Sequence, residues 1–162
     1  MDLNHRVFDV WAFRRQANGV EYLLLHTSQL KADRYFNGGR FWQIPCNVFR
    51  DGESVVGSVD RELGKYSLTA QGIWAAEHVY TIYNRRFDEI EIISVFAAEV
   101  EGTALRLNPE EHSEFGWFSY EAALEKVYYR GLKDGLRSVR EYVTGPPTPA
   151  PELCLRQTEG AR

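Results

Sequence analysis

One short amphipathic segment lies between two sets of strand-like runs, and it constrains the fold more than any other part of the chain. Ser54 can cap a helix by accepting a bond from a free backbone N–H. Val55, Val59 and Leu63 follow at four-residue steps, with Val56 beside them, so one face of this helix is core. Gly57 and Ser58 keep another side thin, as close packing of a helix on a sheet needs. Asp51-Gly52 turns the chain into the helix. Before it, Val7 to Arg14 and Val20 to Leu25 are rich in Val, Phe, Trp, Tyr and Leu and read as strands. Asn18-Gly19 between them supplies the left-handed conformations of a tight hairpin. A polar stretch with Gly38-Gly39 leads to Phe41-Trp42-Gln43-Ile44-Pro45 and a short strand near 47–49. After the helix come two long strand-like runs, about 73–83 and 89–100, joined at Asn84-Arg85-Arg86-Phe87-Asp88. A strand around 114–118 precedes segments 120–127 and 132–143, both readable as helices. The order predicts a mixed sheet with one central helix and closing helices.

The length of 162 residues suits one domain with a sizeable core. Thr144 marks a change of composition: Gly145-Pro146-Pro147-Thr148-Pro149-Ala150-Pro151 holds four of the six prolines. The expected organisation is a folded domain over 1–144 and a mobile Pro-rich tail over 145–162. A net charge of -4 gives no field to hold a polyanion, which argues against nucleic-acid binding, although a few local cations can still hold a small phosphate. No apolar run approaches the ~20 residues of a bilayer span, and the start, Met1 to Arg6, lacks the pattern of a signal peptide. Cys46 and Cys154 are far apart and match neither a disulfide framework nor a zinc spacing. The expectation is a reduced, cytoplasmic protein without membrane or nucleic-acid partners.

Residues 42–69 carry the chemistry. Trp42-Gln43-Ile44-Pro45 approaches Asp51-Gly52-Glu53-Ser54, and Glu53 is followed by seven residues and then Arg61-Glu62-Leu63. This identity and spacing resemble the Nudix box, which runs G, five residues, E, seven residues, R-E, an aliphatic residue, any residue, E-E, any residue, G. The resemblance extends over roughly residues 5–143. The closing segment His112-Ser113-Glu114-Phe115-Gly116-Trp117-Phe118 looks most like the dihydroneopterin triphosphate and dATP pyrophosphatase branch of these MutT-like hydrolases. The resemblance implies an α/β (α+β) fold with a mixed β-sheet sandwiched between helices. It further implies a nucleoside or pterin diphosphate-linked substrate and Mg or Mn as the cofactor.

The departures from the box bear on activity. Asn47 stands at its first glycine and Cys46 just before, Lys65-Tyr66 replace the glutamate pair, and Leu68 replaces the closing glycine. In the family those glutamates share a helix face with the Arg-Glu glutamate and hold the metal. Positions three and four apart lie side by side on a helix, so here the face reads Glu62, Lys65, Tyr66. One carboxylate remains where three would stand, and an ammonium beside it repels a divalent cation and competes for the acid. The expectation is a Nudix hydrolase-like protein whose catalysis is weak, altered or absent, with the metal, if bound, on Glu62. The alternative is a non-catalytic nucleotide- or protein-binding module on the same fold, and a third reading is a domain kept for assembly.

Each candidate has a functional and a plain reading. Glu62 is a residual metal ligand or a solvated partner of Lys65. Glu111, before the last strand, is a further catalytic carboxylate or part of a solvated acidic loop with Glu110 and Glu114. Glu53 and Arg61 are expected to pair and orient the box. Lys65 binds phosphate or is a surface lysine, and Tyr66 packs beside the apolar stripe. Arg40, Arg85 and Arg86 are loop cations able to clamp phosphate. Phe41, Trp42, Phe87 and Tyr83 can stack on a base, although in a chain with 14% aromatic residues most such rings are core. His112 and His78 have no partners at ligand spacing. The expected partner is a small nucleotide-like ligand, with a homodimer expected only by analogy with other β-rich Nudix domains.

Overall fold

The computed structural model describes residues 1–101 and 104–158. Strands β1 (Asp2–Gln16) and β2 (Gly19–Thr27) form the first hairpin, with Gln16 opposite Gly19. Gly19 takes a positive φ of 131°, whereas Asn18 does not, so the glycine alone relieves the turn. Helix α1 (Gln29–Tyr35) follows, then the short strands β3 (Trp42–Gln43) and β4 (Cys46–Val48). Helix α2 (Val55–Gly64) is capped by Ser54, whose side chain accepts from the Gly57 N–H at 3.0 Å. Strands β5 (Thr69–Asn84), β6 (Glu89–Glu101) and β7 (His112–Phe118) come next, then α3 (Tyr120–Lys126) and α4 (Arg130–Val139). The chain ends its described part in a widened turn, Arg140–Thr144, and β8 (Cys154–Gln157).

The sheet is mixed, with strand order β3-β2-β1-β6-β5-β8, and β4 pairs with β1 while β7 pairs with β2. The central pair β1 and β6 is parallel. Alternation along β1 therefore feeds two cores, one on each face. Phe8, Val10 and Ala12 pack with Leu23, Leu25, Phe96, Val59 and Leu63 under α2. Trp11 and Phe13 pack with Tyr22, Leu24, Trp74, Val95, Leu136 and Val139 under α3 and α4. Val59 and Leu63 are fully buried, as the four-residue spacing predicts. Burying each contributes about 1.5–3 kcal/mol, which fixes α2 on the sheet. Among the described residues, no helix is long and apolar enough to cross a membrane.

Two stretches differ from the sequence reading. The polar stretch after β2 contains α1, because Ser28 accepts from the Lys31 N–H at 3.0 Å and donates to the Glu110 carbonyl at 2.6 Å. Residues 145–158, read as part of a mobile tail, instead return to the sheet, where β8 pairs with β5 at Gly72, Ile73 and Trp74. Arg156 then clamps Asp60 on α2 through two bonds of 2.6 and 2.8 Å, and Thr158 N–H donates to Gln71. The tail expectation for 159–162 lies outside the described residues.

Candidate functional site

The site forms where the end of α2 meets β4, α1 and the loop before β7. Regular helix stops at Gly64, and Lys65, Tyr66 and Ser67 continue as tighter turns bonded back to Glu62, Leu63 and Gly64. Ser67 leaves with φ 60°. Glu62 is on the inner side of the last helical turn and is fully buried. Its carboxylate accepts from Lys65 Nζ at 3.0 Å on Oε1 and from Asn47 Nδ2 at 3.3 Å on Oε2. Asn47 thus puts an amide donor on the acid from the position where the box has its first glycine.

Lys65 also approaches Glu111 Oε2 at 3.7 Å. Glu111 is brought there because the Ser28 N–H donates to its carbonyl at 2.9 Å, tying the loop to the start of α1. The same tie sets Lys31, on α1, beside β3, where its Nζ donates to Gln43 Oε1 at 3.0 Å. Lys31, Gln43, Ile44, Cys46, Lys65, Tyr66, Glu111 and His112 enclose a small cavity of about 60 Å³. Sites for drug-sized ligands run to ~300–1,000 Å³, so this one suits a small polar group rather than a whole nucleotide.

The electrostatics follow from burial. Burial pushes the Glu62 carboxyl up, against the opposing pull of Lys65 and Asn47. Desolvation draws Lys65 down, but Glu62 and Glu111 together outweigh it and hold its ammonium above the ordinary value. Burial lowers Lys31. Burial, then Lys31 and Lys65, depress His112 to about 3, so its ring is neutral. Gln43 Oε1 accepts from Lys31 and lies 2.8 Å from His112 Nε2, so Nε2 carries the proton. The lone pair on His112 Nδ1 is then a buried acceptor with no bonded partner. The side chains of Lys31 and Lys65 border the cavity together with His112, whose buried Nδ1 is left without a partner.

Behind β4, Asp9 is buried on β1 and accepts from the Tyr80 hydroxyl. Burial raises its carboxyl to about 6, with Tyr80 and the Cys46 thiol opposing and Glu91 adding to the rise. Gly131 of α4 lies flat on Tyr80: a Cβ there would come within 2.3 Å of the ring.

Glu62, Lys65, Tyr66 and Glu111 are therefore brought together. Tyr66 is nearly buried and packs in the α2 core while bordering the cavity. Glu53 and Arg61 pair at 2.9 Å outside it, and Arg61 also donates to the Val48 carbonyl at 2.7 Å, bracing β4 against α2. Arg61 and Ser58 hold the Glu53 carboxyl down at about 2.

The remaining candidates lie elsewhere. Arg40 is occupied by the Thr27 carbonyl at 2.8 Å and by Ser113. Trp42 stacks on His26 with centroids 4.6 Å apart and lies under Lys126, and Phe41 packs edge-on against Phe36 and Tyr129. Arg85, Arg86 and Phe87 sit on the β5–β6 loop, where Arg86 covers Tyr35. None of these six lines the cavity. Sequence reasoning missed Lys31 and Gln43 as site residues and left His112 without a partner. Gln43 lay inside the quoted approach to the box, but nothing local marks Lys31, whose placement depends on contacts across 82 residues.

A family model described as NUDIX domain matches residues 3–137. No curated protein matches the chain. Among solved structures, the chain resembles a C. elegans Ap4A hydrolase binary complex (18% identity, TM-score 0.67, covering 90% of this chain and 100% of that one). It also resembles the NUDIX domain of Shewanella oneidensis NrtR complexed with ADP ribose (16%, TM-score 0.65, 87% and 89%). A third is the E. coli dihydroneopterin triphosphate pyrophosphohydrolase (14%, TM-score 0.61, 88% and 99%). At these identities the likeness is one of fold.

Proposed function

Because the chain belongs to the NUDIX domain family, we propose that its α2 cleft binds the phosphate of a nucleoside or pterin diphosphate-linked ligand, with the family's metal-dependent hydrolysis weak, altered or absent. The observation that carries this reading is Lys65 Nζ, 3.0 Å from Glu62 and 3.7 Å from Glu111. An ammonium stands where a divalent cation would need carboxylate oxygens.

The residues present do not fit Mg or Mn. Such ions need several hard oxygens in near-octahedral array, whereas both oxygens of Glu62 already accept N–H donors. Among the described residues, no three His, Cys, Asp or Glu side chains group to hold an ion. They fit a phosphoryl group better. Lys31 is bonded to a neutral amide rather than to an acid, so it and Lys65 can donate to phosphoryl oxygens. The rest of such a ligand would extend out of the small cavity. The dihydroneopterin triphosphate and dATP branch remains the ligand class this reading favours. Two free cysteines suit a reducing cytoplasm.

The test pairs two measurements on the same protein: phosphate or pyrophosphate release from Ap4A, ADP-ribose, dATP and dihydroneopterin triphosphate with Mg²⁺ or Mn²⁺, and calorimetric binding of each without metal. Metal-free binding that Lys31→Ala and Lys65→Ala each weaken at least tenfold supports the proposal. Rapid metal-dependent turnover abolished by Glu62→Gln would sink it and return the chain to the ordinary hydrolases. If no ligand binds, the alternative use of the fold as a protein-binding or assembly module takes its place.

A further inference from the structure

The lower half of β5 is an open edge. β8 covers that strand only at Gly72, Ile73 and Trp74, and among the described residues no other strand pairs with it on that side. Beyond a bulge between Ala75 and Val79, β5 runs on to Asn84 paired with β6 alone. Exposure there is high on both faces: Val79 is 58% exposed, Ile82 42% and Tyr83 54%. His78-Val79-Tyr80-Thr81-Ile82-Tyr83-Asn84 contains no Lys, Arg, Asp, Glu or Pro. Edge strands are ordinarily protected from pairing by such residues, by covering elements or by being very short. This one has a bulge at its upper end, where Ser138 of α4 donates to the Ala76 and Glu77 carbonyls, and Gly131 of α4 lies over Tyr80, but among the described residues no strand covers 79–84 on that side.

We propose that this edge is the docking surface for a second copy of the chain, joined antiparallel about a two-fold axis through Thr81, so that the two sheets become one. The sequence is complementary to itself in that register. A two-fold pairing centred on Thr81 brings Thr81 opposite its own copy, Val79 opposite Tyr83 and Tyr80 opposite Ile82. Just beyond the paired residues it brings Glu77 near Arg85 of the second copy, twice by symmetry. Both are exposed, so opposite charges close both ends of the apolar strip. A one-residue shift that sets Glu77 against Asn84 loses that charge match, whereas the opposite shift sets Glu77 against Arg86 and keeps it, so the apolar pairs about Thr81 choose between those two registers.

The bulge supplies a second fit. It opens a hollow of about 350 Å³ lined by Ala75, Glu77, His78, Val79, Ser94, Val95 and Phe96. Tyr83 of the second copy, standing beside Val79 on that face, has room to lay its ring there. A seven-residue edge buries less than the roughly 800 Å² per partner of a standard interface, so the dimer is reversible and forms in the micromolar range. This inference is independent of the phosphate reading, because the edge and the cavity share no residue.

Sedimentation equilibrium of the full chain tests it. Association should appear as concentration rises through the micromolar range, and a monomer throughout overturns the proposal. Glu77→Arg sets arginine against Arg85 at both ends and should raise the dissociation constant about tenfold. Glu77→Arg with Arg85→Glu should bring it back, and a dimer indifferent to both changes refutes the register. Thr81→Cys gives an independent reading. On the axis, opposed Cβ atoms lie about 4.5–5.5 Å apart, nearest in a non-hydrogen-bonded pair, so a disulfide forms once the two backbones draw together by up to about 1 Å. Mild oxidation should give a covalent dimer linked 81 to 81, above the level of the parent chain with Cys46 and Cys154. A soluble dimer that never forms that link would show the copies meeting elsewhere.

Discussion

Lys65→Ala is the change that most directly weighs the ion pair in the cleft. Glu62 is fully buried, and its partners are Lys65 Nζ at 3.0 Å and Asn47 Nδ2 at 3.3 Å. At that separation the Coulomb energy is about 5–6 kcal/mol for an effective dielectric of ~20. Breaking a wholly buried pair costs about 3–5 kcal/mol. The Lys65 side chain is 40% exposed, so water replaces part of what it supplies. The expected loss is therefore about 2 kcal/mol at neutral pH. Removing the lysine leaves burial to raise the Glu62 carboxyl further. An acid raised in the folded state adds stability below its unfolded pKa and loses it as pH rises through the folded one. The deficit of Lys65→Ala should accordingly shrink as pH falls toward 5. Glu62→Gln together with Lys65→Ala removes both charges, and its cost should fall short of the sum of the singles by about 1–2 kcal/mol. Urea unfolding of the four proteins at two pH values reads both quantities. Strict additivity with a pH-independent deficit would mean that Lys65 and Glu62 do not hold each other, and the argument against a metal would lose its physical basis.

Two further outcomes follow from the same geometry. Burial raises Asp9 from 3.8 to about 6, so its protonated form adds stability that is complete below pH 3.8 and lost as pH rises through 6, about 3 kcal/mol in all. Asp9→Asn removes that slope, and an identical stability difference from the parent at about pH 4 and pH 8 would contradict it. Arg156→Ala removes the two hydrogen bonds that its guanidinium donates to Asp60. Since both groups are about a third exposed or more, the loss should be about 1 kcal/mol, with faster amide exchange along β8. Unchanged exchange there would mean that strand pairing alone retains the segment.

What the sequence disclosed and what it withheld divide along a physical line. The helix of 55–64 was legible because its signals are local: a capping serine, a four-residue apolar period and a glycine turn lie within one window. The same holds for the first hairpin and for the Glu53–Arg61 pair, whose spacing is fixed by one helix and its approach. Helix α1 was not legible, since it buries only Ala32 and owes its place to Ser28 reaching the carbonyls of Glu110 and Glu111. A polar segment held by distant backbone has no period to read. Strand β8 failed for the matching reason: its pairing with β5 and the reach of Arg156 to Asp60 are long-range, while its composition speaks only of loops. The cleft inherits this split. Its Glu62 and Lys65 come from a legible helix end, but Lys31, Gln43 and His112 are delivered by α1 and the loop it grips. A second ammonium and a neutral histidine therefore joined the site without any local mark. The departures from the Nudix box suggested a lost cation site, and only the assembled α1 sets a second ammonium, Lys31, beside Lys65 at that place.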